Sequence, residues 1–444
     1  MWKKTRTKKR VTITPQEHNI HKSLRFIFVV AQIFGFFPVQ GVLSKTPNSV
    51  GFSWMSVRIL SAILTCTGGF LVALGHIRHM ILTEYDQFEM NGVIFYTCGC
   101  LSCIYFIKMA TEWPQIILKW QEVDIAMATY GWPRNLNRRI KIVSAVFLLL
   151  ETAEHFSIQA NKLIVAVQCK GSLAKGFEHF TVNMSFPVIF DVIKPFYSPW
   201  LGLVFQFVNT RMAFSWTFID LFIILISCAL AMRFGQINYR VRCLKNMKVQ
   251  SERSWGSVNE DYNRMCQLCA LLDDKMSFLI LISFFNNFYF IIFQVFGSLN
   301  LHKATALEVI YYYISLGLLL LRIVSICLYG SWIHEESKKG VELISSISPE
   351  FYNREILRFM QSIKYQAAGL TGKKFFKISR QLVLKIASAV VTYELVVIQF
   401  SRNAETKDEP SKNSICSSPA DVTDNESSSP CIEPIGVVPG RCMG

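Results

Sequence analysis

Charge is scarce in this chain. Only 17% of its 444 residues are Asp, Glu, Lys or Arg, against about 25% in a typical soluble protein. Acid is the scarcer sign, with 31 Asp and Glu against 46 Lys and Arg. No Gly-rich phosphate loop, internal repeat or nucleic-acid-binding motif accompanies the excess of base, so neither nucleotide chemistry nor DNA or RNA binding has support. A disulfide framework is also missing. The 13 Cys are scattered, and Cys66, Cys98, Cys100, Cys103, Cys228 and Cys327 lie inside apolar runs. One CxxC, Cys266 and Cys269, has no second pair. Structural zinc needs four ligands, so no metal is expected, and nothing implies a cofactor.

What is present is apolar surface: 51% of the residues are hydrophobic and 13% aromatic. Seven stretches have about the length needed to cross a bilayer, at 56–78, 92–111, 142–166, 200–233, 277–299, 307–330 and 384–401, the last being the shortest. The chain therefore reads as an all-α, polytopic membrane protein with seven transmembrane helices and a lipid bilayer as its solvent. An eighth apolar run, LRFIFVVAQIFGFFPV at 24–39, follows a basic N-terminus. It lacks a small-x-small cleavage site and is interrupted by Gly35 and Pro38, so it reads as a half-embedded or re-entrant helix rather than a signal peptide.

Orientation follows from the basic residues. With the N-terminus inside, the inner segments hold 32 Lys and Arg and the outer segments nine, which is the positive-inside pattern. The sequons Asn183-Met-Ser185 and Asn425-Glu-Ser427 both fall in outer segments, where glycan acceptors must lie. The topology is thus inverted, N-terminus inside and C-terminus outside. That is upside-down for a G-protein-coupled receptor. The chain also contains no Asn-Pro dipeptide, and no Asp-Arg-Tyr follows the third helix.

Domain organisation follows the same pattern. Residues 1–55 form a cytoplasmic N-terminus with the half-embedded segment. Residues 56–333 form a six-helix bundle whose helices extend into the cytoplasm, 334–383 a cytoplasmic helical anchor, and 384–401 the seventh helix. Residues 402–444, rich in Ser, Pro, Asp, Glu and Asn, read as a disordered outer tail. The fourth apolar stretch, Trp200 to Phe234, would be about 52 Å long as one helix, well beyond a 30 Å hydrocarbon core.

Polar residues inside membrane helices are expensive, so each is a candidate for function or for interhelical hydrogen bonding. The third helix carries Glu151, Glu154, His155, Ile158 and Lys162 on one stripe at helical spacing. The fourth carries Asn209, Trp216 and Asp220 on one face, with Arg211 and Thr217 nearby; the fifth carries Asn286, Asn287 and Gln294. The sixth opens with Glu308 and Tyr311-Tyr312-Tyr313 and holds Arg322 deeper. These positions describe a cavity open to the outside, lined by aromatics, amides and carboxylates. Glu154, His155, Asn209, Trp216, Asp220, Asn287 and Tyr312 are its candidate ligand-binding residues. Flat aromatic faces and many hydrogen-bonding groups suit a small neutral polyol.

The seventh helix contains TYELVVIQF at 392–400. At 100° per residue Thr392 and Gln399 lie within about 20° of each other, with Leu395 between them, while Glu394 lies about 140° from Gln399. Glu394 and Gln399 therefore face different surroundings. The pattern Thr-Tyr, five mostly apolar residues, Gln-Phe is similar to the signature of insect gustatory receptors. Together with SWTFIDLFIILISCAL at 215–230, it resembles the sugar-receptor branch of that family across about residues 20–401. The resemblance implies a tetrameric, ligand-gated, non-selective cation channel in the plasma membrane of gustatory sensory neurons. It would be a homotetramer or a heterotetramer with related receptors, gated by sugars. The last helix of each subunit would line a shared pore, with Thr392, Leu395, Gln399 and Phe400 as its pore and gate residues. Phe400 would close it by dewetting, and Gln399 would turn to the axis on opening. The tail after Phe400 departs from the family, whose chains usually end soon after the motif.

Three other classes compete. A heptahelical receptor signalling through a partner protein needs the reverse orientation. A transporter predicts inverted repeats and broken helices at the midplane. An intramembrane enzyme needs a catalytic pair, and only Glu151-Thr-Ala-Glu154-His155 comes near one. The inverted topology has a direct test. Glycosidase treatment should increase the gel mobility of the wild-type chain, and Asn183→Gln should remove most of that shift.

Overall fold

The computed structural model describes residues 19–82, 87–247, 251–298, 306–366 and 368–405. Among these residues the chain forms a bundle of seven long helices: α2 (Val57–Leu82), α3 (Gln87–Ala126), α4 (Leu136–Lys170), α7 (Pro199–Lys245), α8 (Glu252–Ser298), α9 (Ala306–Ser345) and α11 (Arg380–Glu405). The first six are long and apolar enough to cross a membrane. A short helix, α1 (Ile20–Ile33), precedes them. Two more, α5 (Leu173–His179) and α6 (Pro187–Ile193), flank a π-helical turn at Phe180–Ser185 between α4 and α7. Helix α10 (Arg354–Tyr365) and the two-stranded hairpin β1 (Thr371–Gly372) and β2 (Phe376–Lys377) lie between α9 and α11.

Helix α1 is capped by the Asn19 side chain, which accepts from the Lys22 amide at 2.8 Å. Its 14 residues span only about 21 Å, too short for the bilayer. It stops where Gly35 and Phe37 take positive φ, 79° and 51°, and the chain folds back on itself. Phe28 and Phe37 then pack edge-on against Trp113 of α3, and Phe34 stacks on Phe214 of α7 at 4.2 Å. Arg211 of α7 closes this junction. Its guanidinium donates to the carbonyl of Ile33, at the negative end of α1, and to Thr65 of α2.

Helix α7 is the axis of the bundle. It packs against α2, α3, α4, α8 and α9, and the stretch Phe218–Ala231 is enclosed throughout. The apolar pattern of the sequence implies this, since it is hydrophobic on every face there. By contrast α4 touches α7 along one stripe and shows Leu149 and Phe156 to the surroundings. At the outer end α2 and α3 approach closely because Gly92 has no side chain: a Cβ there would meet the His76 ring at 2.4 Å. His76 also contacts the Glu89 carboxylate at 2.7 Å.

Helices α7, α8 and α9 are 47, 47 and 40 residues long, about 60–70 Å each. Each is longer than a 30 Å hydrocarbon core, and α9 runs unbroken through residue 333. Polar clasps join the extensions. Arg233 pairs with Asp124, both buried, and lies over the Trp132 ring at 4.8 Å. The Asn238 amide donates to the Glu336 carbonyl at 2.8 Å. The Tyr130 hydroxyl donates to Asp261 at 2.9 Å. Burial, and then the Asp261 charge, push the Tyr130 phenol well above its usual range, so it stays a donor. Helix α10 lays Ile356, Phe359 and Ile363 onto α8 and α9, at one-face helical spacing. The following hairpin turns through Lys373 and Lys374, both at positive φ, where Asn-Gly is the usual pair. Asp273 of α8 holds it, accepting from the Thr371 amide at 2.6 Å.

Phe359 is fully buried between Trp255 and Tyr262, with ring centroids 6.4 and 5.6 Å away. Phe359→Ala should cost about 3–5 kcal/mol, read as a lower melting temperature of the detergent-solubilised chain. Phe375→Ala, at the exposed hairpin tip, should stay within about 0.5 kcal/mol of wild type.

Candidate functional site

An arginine at the centre of a membrane helix costs about 2.5–3.5 kcal/mol on insertion scales. The run of α9 around Arg322, Ile314-Ser-Leu-Gly-Leu-Leu-Leu-Leu-Arg322, offers it no partner, so its partners must come from other helices. They do. Arg322 Nε donates to Asp220 of α7 at 2.9 Å, and its NH1 donates to Glu151 of α4 at 2.8 Å. Its guanidinium lies over the Trp216 ring at 4.4 Å, close enough for a cation–π contact.

Asp220 is fully buried and saturated with donors. Ser283 Oγ donates to it at 2.6 Å, and the Asn287 amide donates to both its oxygens at 3.2 and 3.1 Å. The Trp216 indole donates to Asn287 Oδ1 at 3.1 Å, which fixes the Asn287 amide the other way round toward Asp220. One guanidinium thus holds α4, α7, α8 and α9 together in the middle of the bundle. Asp220, Trp216 and Asn287, singled out in the sequence, meet here. Glu151 and Arg322 were visible there as intramembrane charges but not as partners. Ser283 carried no sequence signal.

Toward the outer side the polar character continues but the pairing thins. Ser315 of α9 donates to Glu154 and accepts from the Gln294 amide at 3.0 Å. Above the hub, among the described residues, buried polar atoms have no partner: His155 Nε2, Gln159 Oε1, Gln294 Oε1 and the Tyr311 and Tyr312 hydroxyls. Buried polar atoms are nearly always satisfied, and each unsatisfied one costs about 1–3 kcal/mol. These orphans come from α4, α8 and α9 and form the upper part of one polar column. The α4 stripe of Glu151, Glu154, His155, Ile158 and Lys162 turns inward, while Thr152, Ala153, Phe156 and Ser157 face out.

Two expected site residues stand differently. Asn209 accepts from the Tyr96 hydroxyl of α3 at 2.9 Å and belongs to a separate seam between α3 and α7. Tyr312 is 9% exposed and turned toward Gly297 of α8, at the top of the column. A narrow crevice lies on the α3 side of the hub, bounded by Phe95, Ser102, Met212, Trp216, Ser283 and Asn286.

Among the described residues, helix α11 packs chiefly on α8 and α9. Thr392, Leu395 and Gln399 are exposed, whereas Glu394 is half-buried. The side chain of Phe400 lies outside the described residues, as does Asn425. Asn183 is exposed in the π-helical turn. At its root α11 is gripped by α9: Arg380 reaches both oxygens of Glu335, Nε and NH2 each at 2.6 Å.

Residues 3–411 match the family model described as trehalose receptor. The Drosophila melanogaster gustatory receptor for sugar taste 64f is 30% identical over 88% of this chain and 82% of its own length. Gustatory receptor 5a for trehalose, from the same fly, is 27% identical over 88% and 87%. In fold, the insect olfactory receptor OR5 from Machilis hrabei superposes with a TM-score of 0.61 at 12% identity, covering 86% of this chain and 98% of that one. Its complex with eugenol gives a TM-score of 0.58 at 14% identity over 85% and 98%.

Removing the guanidinium leaves two carboxylates buried without a counter-charge. Arg322→Gln should therefore destabilise the bundle by about 3–5 kcal/mol. Arg322→Lys should not restore wild-type melting, because one ammonium cannot reproduce a planar fork set between two acids.

Proposed function

The chain belongs to the trehalose receptor family, the sugar branch of the insect gustatory receptors, and from that membership we propose that it is a sugar-gated, non-selective cation channel. The observation that carries the reading is the set of unpartnered polar atoms on α4, α8 and α9 beside the ion hub of Arg322, Asp220 and Glu151. A neutral polyol offers many hydroxyls that both donate and accept. It can satisfy His155, Gln159, Gln294 and Tyr311 together, while the Tyr311 and Tyr312 rings supply flat apolar surface for its C–H faces. An apolar ligand would leave the same atoms unpaired, which is the basis of selection.

The proposed coupling to the pore runs through α9. That helix carries Tyr311, Ser315 and Arg322 in the membrane and Glu335 below it, and Glu335 holds Arg380 at the root of α11. A ligand that shifts α9 by differential contact therefore acts on α11 directly. Four copies of α11 would line a common pore. The exposed face of Thr392, Leu395 and Gln399 is supporting observation, since polar and apolar side chains left bare on one chain can meet their copies around an axis. Phe400 closes the pore by dewetting and Gln399 reaches the axis on opening. Glu154, His155, Trp216, Asn287 and Tyr312 line or support the ligand path, and Asp220 positions Arg322. Asn209 stiffens the α3–α7 seam. The chain resides in the plasma membrane of gustatory neurons, as a homotetramer or with related receptors.

In cells expressing the channel, Gln294→Ala and Gln159→Ala should each raise the half-maximal sugar concentration about fivefold, the worth of one hydrogen bond near 1 kcal/mol, with surface expression intact. Gln399→Ala should change ion selectivity or conductance and leave the half-maximal concentration unmoved. An unshifted sugar response in both amide variants would remove the column from the binding path.

A further inference from the structure

A second cavity, of about 100 Å³, lies between the middles of α3 and α8. It is lined by Tyr105, Lys108, Met109 and Glu112 of α3, Asp274 and Lys275 of α8, and Lys373 of the hairpin. Three ammonium groups from three different elements converge on it, facing two carboxylates. The carboxylates are already engaged: Lys275 Nζ is 3.1 Å from Glu112 and 3.5 Å from Asp274. Lys108 lies over the Tyr105 ring at 5.6 Å, and among the described residues neither Lys108 nor Lys373 has a carboxylate partner. Two unpaired cations therefore flank a space with room for more than a water, whose share of liquid volume is about 30 Å³.

Depth selects the ligand. Lys108 is about 32 Å along α3 from its outer end at Gln87, and Lys275 is about 35 Å along α8 from its outer end at Ser298. Both counts put the cavity at the inner edge of a 30 Å hydrocarbon core, in the layer of the inner-leaflet headgroups. Basic pockets between helices at that level suit anionic headgroups. We propose that this cavity binds the phosphate headgroup of an anionic inner-leaflet phospholipid, held by Lys108 and Lys373 with the Tyr105 hydroxyl as a further donor.

The position gives the lipid a role. Lys373 follows Thr371, which Asp273 fastens to α8, and precedes Arg380, where α11 begins. A headgroup bridging Lys373 to Lys108 ties the root of α11 to α3, so the leaflet's composition would set how freely α11 turns.

The test does not depend on ion current. The purified full-length chain is placed in nanodiscs of phosphatidylcholine containing a small fraction of phosphatidylinositol bisphosphate, and retained lipid is counted by native mass spectrometry. Wild type should retain the phosphoinositide. Lys373→Gln and Lys108→Gln should each lower retention about fivefold, corresponding to about 1 kcal/mol per lysine at the membrane surface. Lys374→Gln alters the neighbouring residue of the same turn, outside the cavity, and should leave retention unchanged. Equal loss in Lys374→Gln would mean diffuse surface charge and overturn the site, as would no retention by wild type. Inositol trisphosphate held from solution as tightly as the lipid would overturn the lipid as occupant.

Discussion

Arg322 must be neutralised inside a bilayer, and the middle of the bundle is arranged around that need. A guanidinium stays charged under all ordinary conditions, so the solution is geometric rather than protonic. Asp220 and Glu151 reach it from two helices, the Trp216 face lies against it, and Ser283 and Asn287 hold Asp220 in place. Four helices are committed to one point. A buried ion pair is weak evidence of net stability but strong evidence of specified geometry, because any other packing leaves a charge unpaired in hydrocarbon. The outward polar column rests on this floor. Asp220 is fully engaged there, while among the described residues Arg322 keeps one NH2 without a partner and the groups of α4, α8 and α9 above it are short of partners as well.

The second constraint is length. Helices of 40–47 residues are longer than a 30 Å slab, and away from the hub α7, α8 and α9 pack with α10 into a second core. There Trp255, Tyr262 and Phe359 pack with the ordinary hydrophobic driving force that is missing between helices in lipid. The two regions share α9. Its middle bears the hub arginine and its later part holds Arg380, so the helix links the buried polar hub to α11.

Much of this was legible in the sequence, for physical reasons that can be named. Apolar length gives the first six long helices as candidate spans. Helical spacing gives the inward stripe of α4, since Glu151, Glu154 and His155 recur on one face. It also separates Glu394 from Gln399 on α11. The turn that ends α1 follows from Gly35 and Pro38, which interrupt the apolar run. What was not legible depends on which helices are neighbours. Asn209 and Asp220 share a face of α7, yet one meets Tyr96 of α3 and the other Arg322 of α9, because neighbours change along a 47-residue helix. The hub itself could have been found by asking which carboxylates lie at the depth of Arg322. The hairpin at Lys373 and Lys374 could not, because it places lysines where turn chemistry favours Asn and Gly.

The most direct measurement is whole-cell current evoked by a panel of mono- and disaccharides in cells expressing this chain, alone and with a related receptor, while G-protein signalling is blocked. A sugar-gated channel predicts a fast cation current that persists under the block. A sugar response that the block abolishes would contradict it, and would place the ion pathway in another protein.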